Sequence, residues 1–361
     1  MNQQFGRLCA MSELGSRKGD HIDLAISGNV GFRKGTLLDE VQLIHCSLPE
    51  LHVDKIELAT DFLGCRLSAP LLIAAMTGGT ERAGLLNLKL AEVAEQAGVA
   101  LGLGSQRAMV KTGEVNQEIA ASYRLRQVAP SIPILGNLGA VQAAEMSTSL
   151  VSEMLDAVQA SALCIHLNPA QEMIQPGGDR DFRGCEDAIA RLADELKLPV
   201  IAKETGCGIS ASVGHRLKKL GVQHVDISGG GGTSWVGVEA RRAHGDKVRQ
   251  GEEFWDWGIP TAASILQLAP LQFQTLIATG GIKSGLDVAR ALNLGANLAG
   301  IARPVLQALD AGGQEGAISF IEAVADDLRA AMLLTGSGSV KALQEKPRLI
   351  GPNLQVWKAP L

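Results

Sequence analysis

Within seven residues, His166, Asn168, Gln171 and Glu172 gather an imidazole, two carboxamides and a carboxylate. The apolar run before them, Ala162 to Ile165, reads as the end of a buried strand. Polar side chains released together at such a place are costly to desolvate unless they meet a ligand or each other. Their chemistry suits a polyanion bound with a hard cation. Imidazole and amides donate to phosphate oxygens, and a lone Glu can anchor Mg²⁺ directly or through water. The competing reading is a polar loop that merely caps the next helix.

Other clusters point the same way. Gly280-Gly281-Ile282-Lys283 follows an apolar run and is expected to open a helix, where bare amides would cradle a phosphate. The Gly-Gly pair alone would equally make a tight turn. Gly300-Ile301-Ala302-Arg303 and Ser228 to Thr233 flank it in the neighbouring repeats, adding further amides and hydroxyls. Lys203 ends the run Pro199-Val200-Ile201-Ala202, where a buried cation needs an anionic partner. That partner is either the N1/C2 carbonyl region of a flavin, negative when reduced, or a carboxylate, Glu204 or Asp226. Near the start, Arg17-Lys18-Gly19-Asp20-His21 sets two cations before a histidine. Arginine offers phosphate a bidentate fork and lysine a point charge, though alone the element reads as a solvated basic turn.

The elements that must position these groups repeat. Candidate strands are Leu71-Ala75, Ala100-Gly102, Ile132-Leu135, Leu163-Leu167, Val200-Lys203, His224-Ile227, Leu276-Ala278 and Leu298-Ile301. Amphipathic segments lie between them; Leu86, Leu90, Val93, Ala94 and Ala97 keep helical spacing up to Gly98. Cys185 to Leu196 and Gly285 to Leu294 behave alike. Eight strands alternating with helices predict an α/β fold, the (β/α)8 TIM barrel, with an open doubly wound sheet as the competing topology. Polar and glycine residues cluster after nearly every strand, which in a barrel collects them on one face. Residues 1–60 do not fit the repeat and are expected to form an extension contributing substrate-binding residues; residues 61–361 would be the barrel. The long loops 173–183 and 234–258 are read as lids or as surface excursions.

Composition narrows the class. The 361 residues are 46% hydrophobic but only 3% aromatic, with 42 glycines, so the core must be Ala, Val, Leu and Ile. A net charge of -5 argues against a nucleic-acid scaffold. The absence of a long apolar run argues against a membrane span. Six scattered cysteines without a Cys-x-x-Cys pair, and no export pattern, read as reduced thiols in a cytoplasmic protein.

Together the motifs resemble the type 2 isopentenyl-diphosphate isomerases, a flavin-dependent family. The likeness runs from Arg17-Lys18-x-x-His21 to Ala302-Arg303. It is carried by Ala75-Met76-Thr77-Gly78-Gly79, Gly104-Ser105-Gln106-Arg107, Gly136-Asn137, the His166 to Glu172 cluster, Lys203-Glu204, Asp226 through Trp235, and Gly280-Gly281. The resemblance implies FMN held by Ala75, Met76, Thr77, Ser105, Asn137, Lys203, Ser228 and Thr233, its phosphate at Gly280, Gly281, Ala302 and Arg303. It implies isopentenyl and dimethylallyl diphosphate as substrate and product in isoprenoid biosynthesis. Arg17, Lys18, Arg107, His166, Asn168 and Gln171 would grip the diphosphate, and Glu172 would hold Mg²⁺. Reduced FMN would serve as acid and base, NADPH only reducing it, with His166 and Gln171 the candidate catalytic side chains. The proton shuttle stays open between Gln171, ordered water and the flavin. The family also suggests a homo-tetramer or homo-octamer.

Rival functions lack their residues. FMN-dependent 2-hydroxy-acid oxidoreductases carry an Asn-His-Gly-Gly-Arg element where this chain has Ser228 and a run of glycines. Purine-nucleotide dehydrogenases need a nucleophilic cysteine, and Cys207 has no neighbouring cation or histidine in sequence to activate it. A non-enzymatic flavin redox sensor would not need a diphosphate-and-metal cluster.

Overall fold

The computed structural model describes residues 18–27, 29–111 and 113–358. Eight parallel strands close into a barrel: β1 (Leu71–Ile73), β2 (Ala100–Gly102), β3 (Ile134–Gly139), β4 (Ala162–Leu167), β5 (Val200–Glu204), β6 (His224–Asp226), β7 (Thr275–Thr279) and β8 (Leu298–Ile301). Each strand pairs with its neighbours in the chain, and β8 returns to β1 through Ile301 opposite Ile73. Closure decides for the TIM barrel against the open sheet. All eight expected strands are present. β3 differs most, starting at Ile134 because Pro133 has no N–H for the ladder, and running on to include Gly136 and Asn137, expected beyond the strand.

The low aromatic content is met by a lumen of small and branched side chains. Leu72, Ala100, Leu135, Ala162, Cys164, Ile201, Ile277 and Leu298 fill it, and Phe62 and Leu67 of the hairpin Thr60–Phe62/Cys65–Leu67 pack against them. These residues come mainly from the first halves of the strands, so the hairpin plugs the N-terminal end and leaves the C-terminal end open. A second, larger core fills the layer between strands and helices. Each fully buried Leu or Ile there contributes about 1.5–3 kcal/mol. The helix Glu81–Ala97 shows how the sequence sets its limits. Thr80 Oγ1 accepts from Ala83 N at 3.2 Å, and Gly98 ends the helix at φ 65°, a conformation glycine adopts without strain.

The extension divides between tasks. A helix over 18–27, α1, lies at the barrel mouth, while Val41–Leu43 pairs antiparallel with Arg348–Ile350 near the other end of the chain. Residues 234–258, read from sequence as a long loop, instead form two helices, α2 (Trp235–Arg242) and α3 (Asp246–Glu253). Their charges lie largely on the outer face, and Trp255 is buried with its Nε1–H donated to Gly31 O at 2.8 Å. Among the described residues no helix is long and apolar enough to cross a membrane.

Candidate functional site

At the C-terminal ends of the strands lies a cavity of about 1010 Å³. Every described residue that the sequence reading assigned to substrate, cofactor or metal lines it: Lys18, Ala75, Met76, Thr77, Ser105, Arg107, Asn137, His166, Asn168, Gln171, Glu172, Lys203, Ser228, Thr233, Gly280, Gly281, Ala302 and Arg303. Arg17 lies outside the described residues.

The backbone half of the ring is built by close approach. Gly280 and Gly281 have φ 111° and 74°, and a Cβ on Gly281 would sit 2.6 Å from Gly231 O. The run 229–232 is pinned rather than loose: Gly229 N donates to Thr279 O (2.7 Å), Gly230 N to Ile259 O (2.8 Å), and Gly232 O accepts from Phe32 N (2.8 Å). Ser228, beside them, holds a left-handed φ of 37°, a strain non-glycine residues accept where surrounding structure enforces it. The expectation that Gly280-Gly281 opens a helix is corrected. The helix Gly285–Leu294 begins later, with Ser284 accepting from Asp287 N, because the two left-handed glycines cannot continue into a right-handed turn. The helix N-terminus at this side of the ring belongs instead to Arg303–Leu334 after β8.

The side-chain half gathers around β3 and β4. Asn137 Nδ2 donates to Leu103 O (2.9 Å), which fixes its Oδ1 as an acceptor for His166 Nδ1 at 2.8 Å. Burial, reinforced by the cations Lys203 and Arg107, lowers the His166 pKa to about 4, although Asp179 pulls the other way. The imidazole is therefore neutral near pH 7, protonated on Nδ1, with a lone pair on Nε2. In this state the ring offers a phosphate oxygen no Nε2–H until it is protonated. Glu172 is buried on the short helix Pro169–Ile174 and accepts from Asn168 Nδ2 (2.8 Å), Gln175 Nε2 (3.0 Å) and Asp179 N (2.8 Å). Among the described residues no group of three or more His, Cys, Asp or Glu could hold a metal by itself. A cation on Glu172 would thus take its other ligands from phosphate and water, as Mg²⁺ commonly does.

Lys203, at the end of β5, points into the mouth; its Nζ lies 3.6 Å from Asp226 Oδ2 and donates to Glu204 O at 2.6 Å. The carboxylate alternative for its partner is thus realised through Asp226, while the lysine still lines the cavity. Glu204, on the opposite face of the strand, turns its carboxylate to the amides of Thr205, Gly206 and Cys207. Burial outweighs these donors and raises its pKa to about 7. Burial likewise pushes the Cys207 thiol far above its ordinary range, so it is no activated nucleophile.

Two acids escaped the sequence reading. Glu239, wholly buried on α2, binds His21 Nε2 (2.9 Å) from α1, Gln171 Nε2 (3.3 Å) and Arg242 Nη1 (2.9 Å). Burial alone would raise its pKa, but His21 and Arg242 hold it below the ordinary range. Its only sequence signal was an i,i+3 pairing with Arg242 inside a stretch that looked like solvated surface. Asp179 was hidden in the loop 173–183. It accepts from Gln142 Nε2 (2.6 Å) and lies 3.6 Å from Arg107. Tyr123, fully buried, also contributes by donating to Ser105 O (2.7 Å) beneath the Gly78-Gly79 turn.

Comparison with known proteins follows the same lines. Residues 170–349 match the model of the FMN-dependent dehydrogenase family. Among solved structures, mandelate oxidase with (S)-2-phenylpropionate superposes with a TM-score of 0.65 at 21% identity, covering 94% of this chain and 98% of that one. A lactate oxidase of Pediococcus acidilactici gives 0.65 at 19%, covering 94% of each; both likenesses concern the fold alone. In sequence, the isopentenyl-diphosphate delta-isomerase of Methanothermobacter thermautotrophicus is 42% identical over 347 residues, covering 95% of both chains. That of Stutzerimonas stutzeri is 43% identical over 335 residues, covering 91% of this chain and 95% of its own. With that identity across nearly the whole of a closed barrel, the chain belongs to the type 2 isopentenyl-diphosphate delta-isomerases.

Proposed function

We propose that this isomerase interconverts isopentenyl and dimethylallyl diphosphate, using reduced FMN that the residues of the barrel mouth would hold and Mg²⁺ for which Glu172 would be the protein ligand. The observation that carries the reading is two buried polar atoms at the cavity wall, Thr77 Oγ1 and Arg303 Nη1, that have no hydrogen-bond partner among the described residues. An orphaned guanidinium nitrogen at a helix N-terminus, lining the same cavity as Gly280 and Gly281, fits a cofactor phosphate. Ala75, Met76, Ser105, Asn137, Ser228 and Thr233 would hold the ring system and ribityl chain, and Lys203 would face the ring's anionic edge. The cavity volume suffices for that cofactor and a small diphosphate.

The reaction adds a proton to the terminal alkene carbon and removes one from the carbon nearer the diphosphate. The alkene is unactivated, so positive charge must be stabilised in a dry site. Reduced FMN, when bound, supplies an electron-rich face for that charge and a ring position able to exchange a proton. The chain's own residues do the rest. Arg17, Lys18, Arg107, Asn168 and Gln171 would bind the head group, and Glu172 would hold the cation. Gln171, steadied by Glu239, borders the reacting carbons as a candidate shuttle. His166 sets its Nε2 toward the head group. NADPH would reduce the cofactor; a cytoplasmic location and tetrameric or octameric assembly complete the proposal.

The test is Glu172→Gln. It should retain the yellow cofactor while losing Mg²⁺-dependent activity by roughly a hundredfold or more, the scale for a lost metal ligand. A colourless variant would remove Glu172 from the metal role, and a wild-type protein that takes up no FMN would end the reading. The hydroxy-acid oxidase alternative finds no support, since Ser228 and the pinned glycines leave no histidine base or arginine clamp there.

A further inference from the structure

We infer that Asp179 is an internal counter-anion for Arg107, which the diphosphate must displace, and that this exchange ties diphosphate binding to a divalent cation. The inference rests on the diphosphate reading above and adds a specificity-determining residue to it.

The loop after the helix Pro169–Ile174 is built to deliver this carboxylate. Gly177 takes φ 66°, and Gly178 passes so close to Glu172 that a Cβ would meet its carbonyl oxygen and lie 2.7 Å from Oε2. Arg180 locks the turn by donating to Glu172 O (2.6 Å) and Gln175 O (3.3 Å), while Asp179 N donates to Glu172 Oε2. The Asp179 side chain is thereby held at the cavity rim, on Gln142 Nε2 and facing Arg107. Its pairing with Arg107 is a loose one, 3.6 Å long, with the arginine about half exposed (52%) and the aspartate 21% exposed. Such pairs are weak, so a ligand of higher charge takes the arginine easily.

The exchange has a consequence. A diphosphate bringing about three negative charges to Arg107 leaves Asp179 and Glu172 beside it. With Arg107 drawn to the diphosphate, the three anionic groups repel one another. A divalent ion arriving with the diphosphate answers all three, so the free carboxylate penalises the metal-free ligand. Asp179 thus selects the metal complex of the diphosphate over the bare anion.

Inorganic pyrophosphate is the probe, titrated calorimetrically into the FMN-loaded protein with and without Mg²⁺. Asp179→Asn keeps the side-chain shape and the contact to Gln142. It should tighten metal-free pyrophosphate by roughly fivefold and lower the Mg²⁺-induced gain in affinity by a similar factor. In the Arg107→Met background the same substitution should gain less, because no arginine is left to release. Asp179→Ser, run alongside, should reproduce the effect if the charge and not the amide is responsible. Pyrophosphate bound by the wild type with an affinity that Asp179→Asn and Asp179→Ser leave unchanged or weaken overturns the exchange alone. A wild type that binds no pyrophosphate in either condition overturns the diphosphate reading, and the exchange with it.

Discussion

At the scale of single residues, the site is governed by which polar groups are already satisfied. His166 illustrates it: Asn137 fixes its Nδ1–H, and burial keeps the ring neutral. To donate from Nε2 to a phosphate oxygen it must first gain a proton. Binding of pyrophosphate at pH 7 should therefore take up close to one proton per site. Calorimetry in buffers of different ionisation enthalpy measures this, and uptake should vanish in His166→Asn. Unchanged uptake in that variant would place the proton elsewhere. The same shift acts on folding. Between about pH 6.5 and 4 the unfolded chain binds a proton on this imidazole that the native state refuses. The residue's contribution to stability therefore falls as pH drops through that window. Glu204 acts in the opposite sense: its native pKa of about 7 exceeds the ordinary value of 4.5, so its contribution weakens as pH rises through that range. Neither shift was legible in the sequence, which shows that an imidazole and a carboxylate are present but not what encloses them. The His166-to-Glu172 cluster itself was legible, because four polar types so close behind an apolar run have few inexpensive fates.

At the scale of elements, strands and capped helices were readable since apolar runs, N-cap hydroxyls and C-terminal glycines are local signals. The misplacements mark where tertiary contact overrides them. The Gly280-Gly281 turn was taken for a helix start, although its left-handed backbone answers to the facing strand of glycines rather than to the helix beyond. Gly280→Ala tests this. A Cβ there would lie 2.7 Å from Gly229 N and nearer still to its carbonyl, at φ 111°. The substitution should cost about 2–4 kcal/mol and abolish FMN retention. Gly35→Ala, with nothing within 4 Å, should stay within about 0.5 kcal/mol of wild type. Denaturant unfolding and bound-flavin absorbance read both; equal effects would refute the steric account. Residues 234–258 misled for a related reason. Charge density hid two amphipathic helices, whose inner faces carry Glu239 and approach the buried Trp255.

At the scale of the whole molecule, α1 is joined to the barrel by polar contacts more than by a hydrophobic face. His21 meets Glu239, Asp20 meets Arg242, Asp23 meets Arg82, and Ile26 O accepts from Gln307 Nε2. Lys18 Nζ donates to Gly78 O in the loop after β1. Removing residues 1–27 should leave FMN affinity within about threefold. It should raise the substrate KM by roughly tenfold or more, as expected for lost charge-assisted contacts to a head group. Flavin titration and steady-state kinetics separate the two. Loss of FMN would show that the helix serves the cofactor instead. In the sequence, only the Arg-Lys pair suggests a role for the extension; its docking is not legible there, because each anchoring partner lies far along the chain.

The ring of loops has one half made of side chains, around β3, β4 and the helix Pro169–Ile174, and one half made of bare main chain, around the glycines after β6 and β7. The first accepts ordinary amino-acid replacement more readily; in the second, a Cβ on Gly229, Gly231, Gly232, Gly280 or Gly281 would lie within 2.6 Å of a neighbouring atom. In this chain, an altered ligand preference should therefore be reached more readily by substitutions near His166 and Asp179 than at the crowded glycines opposite.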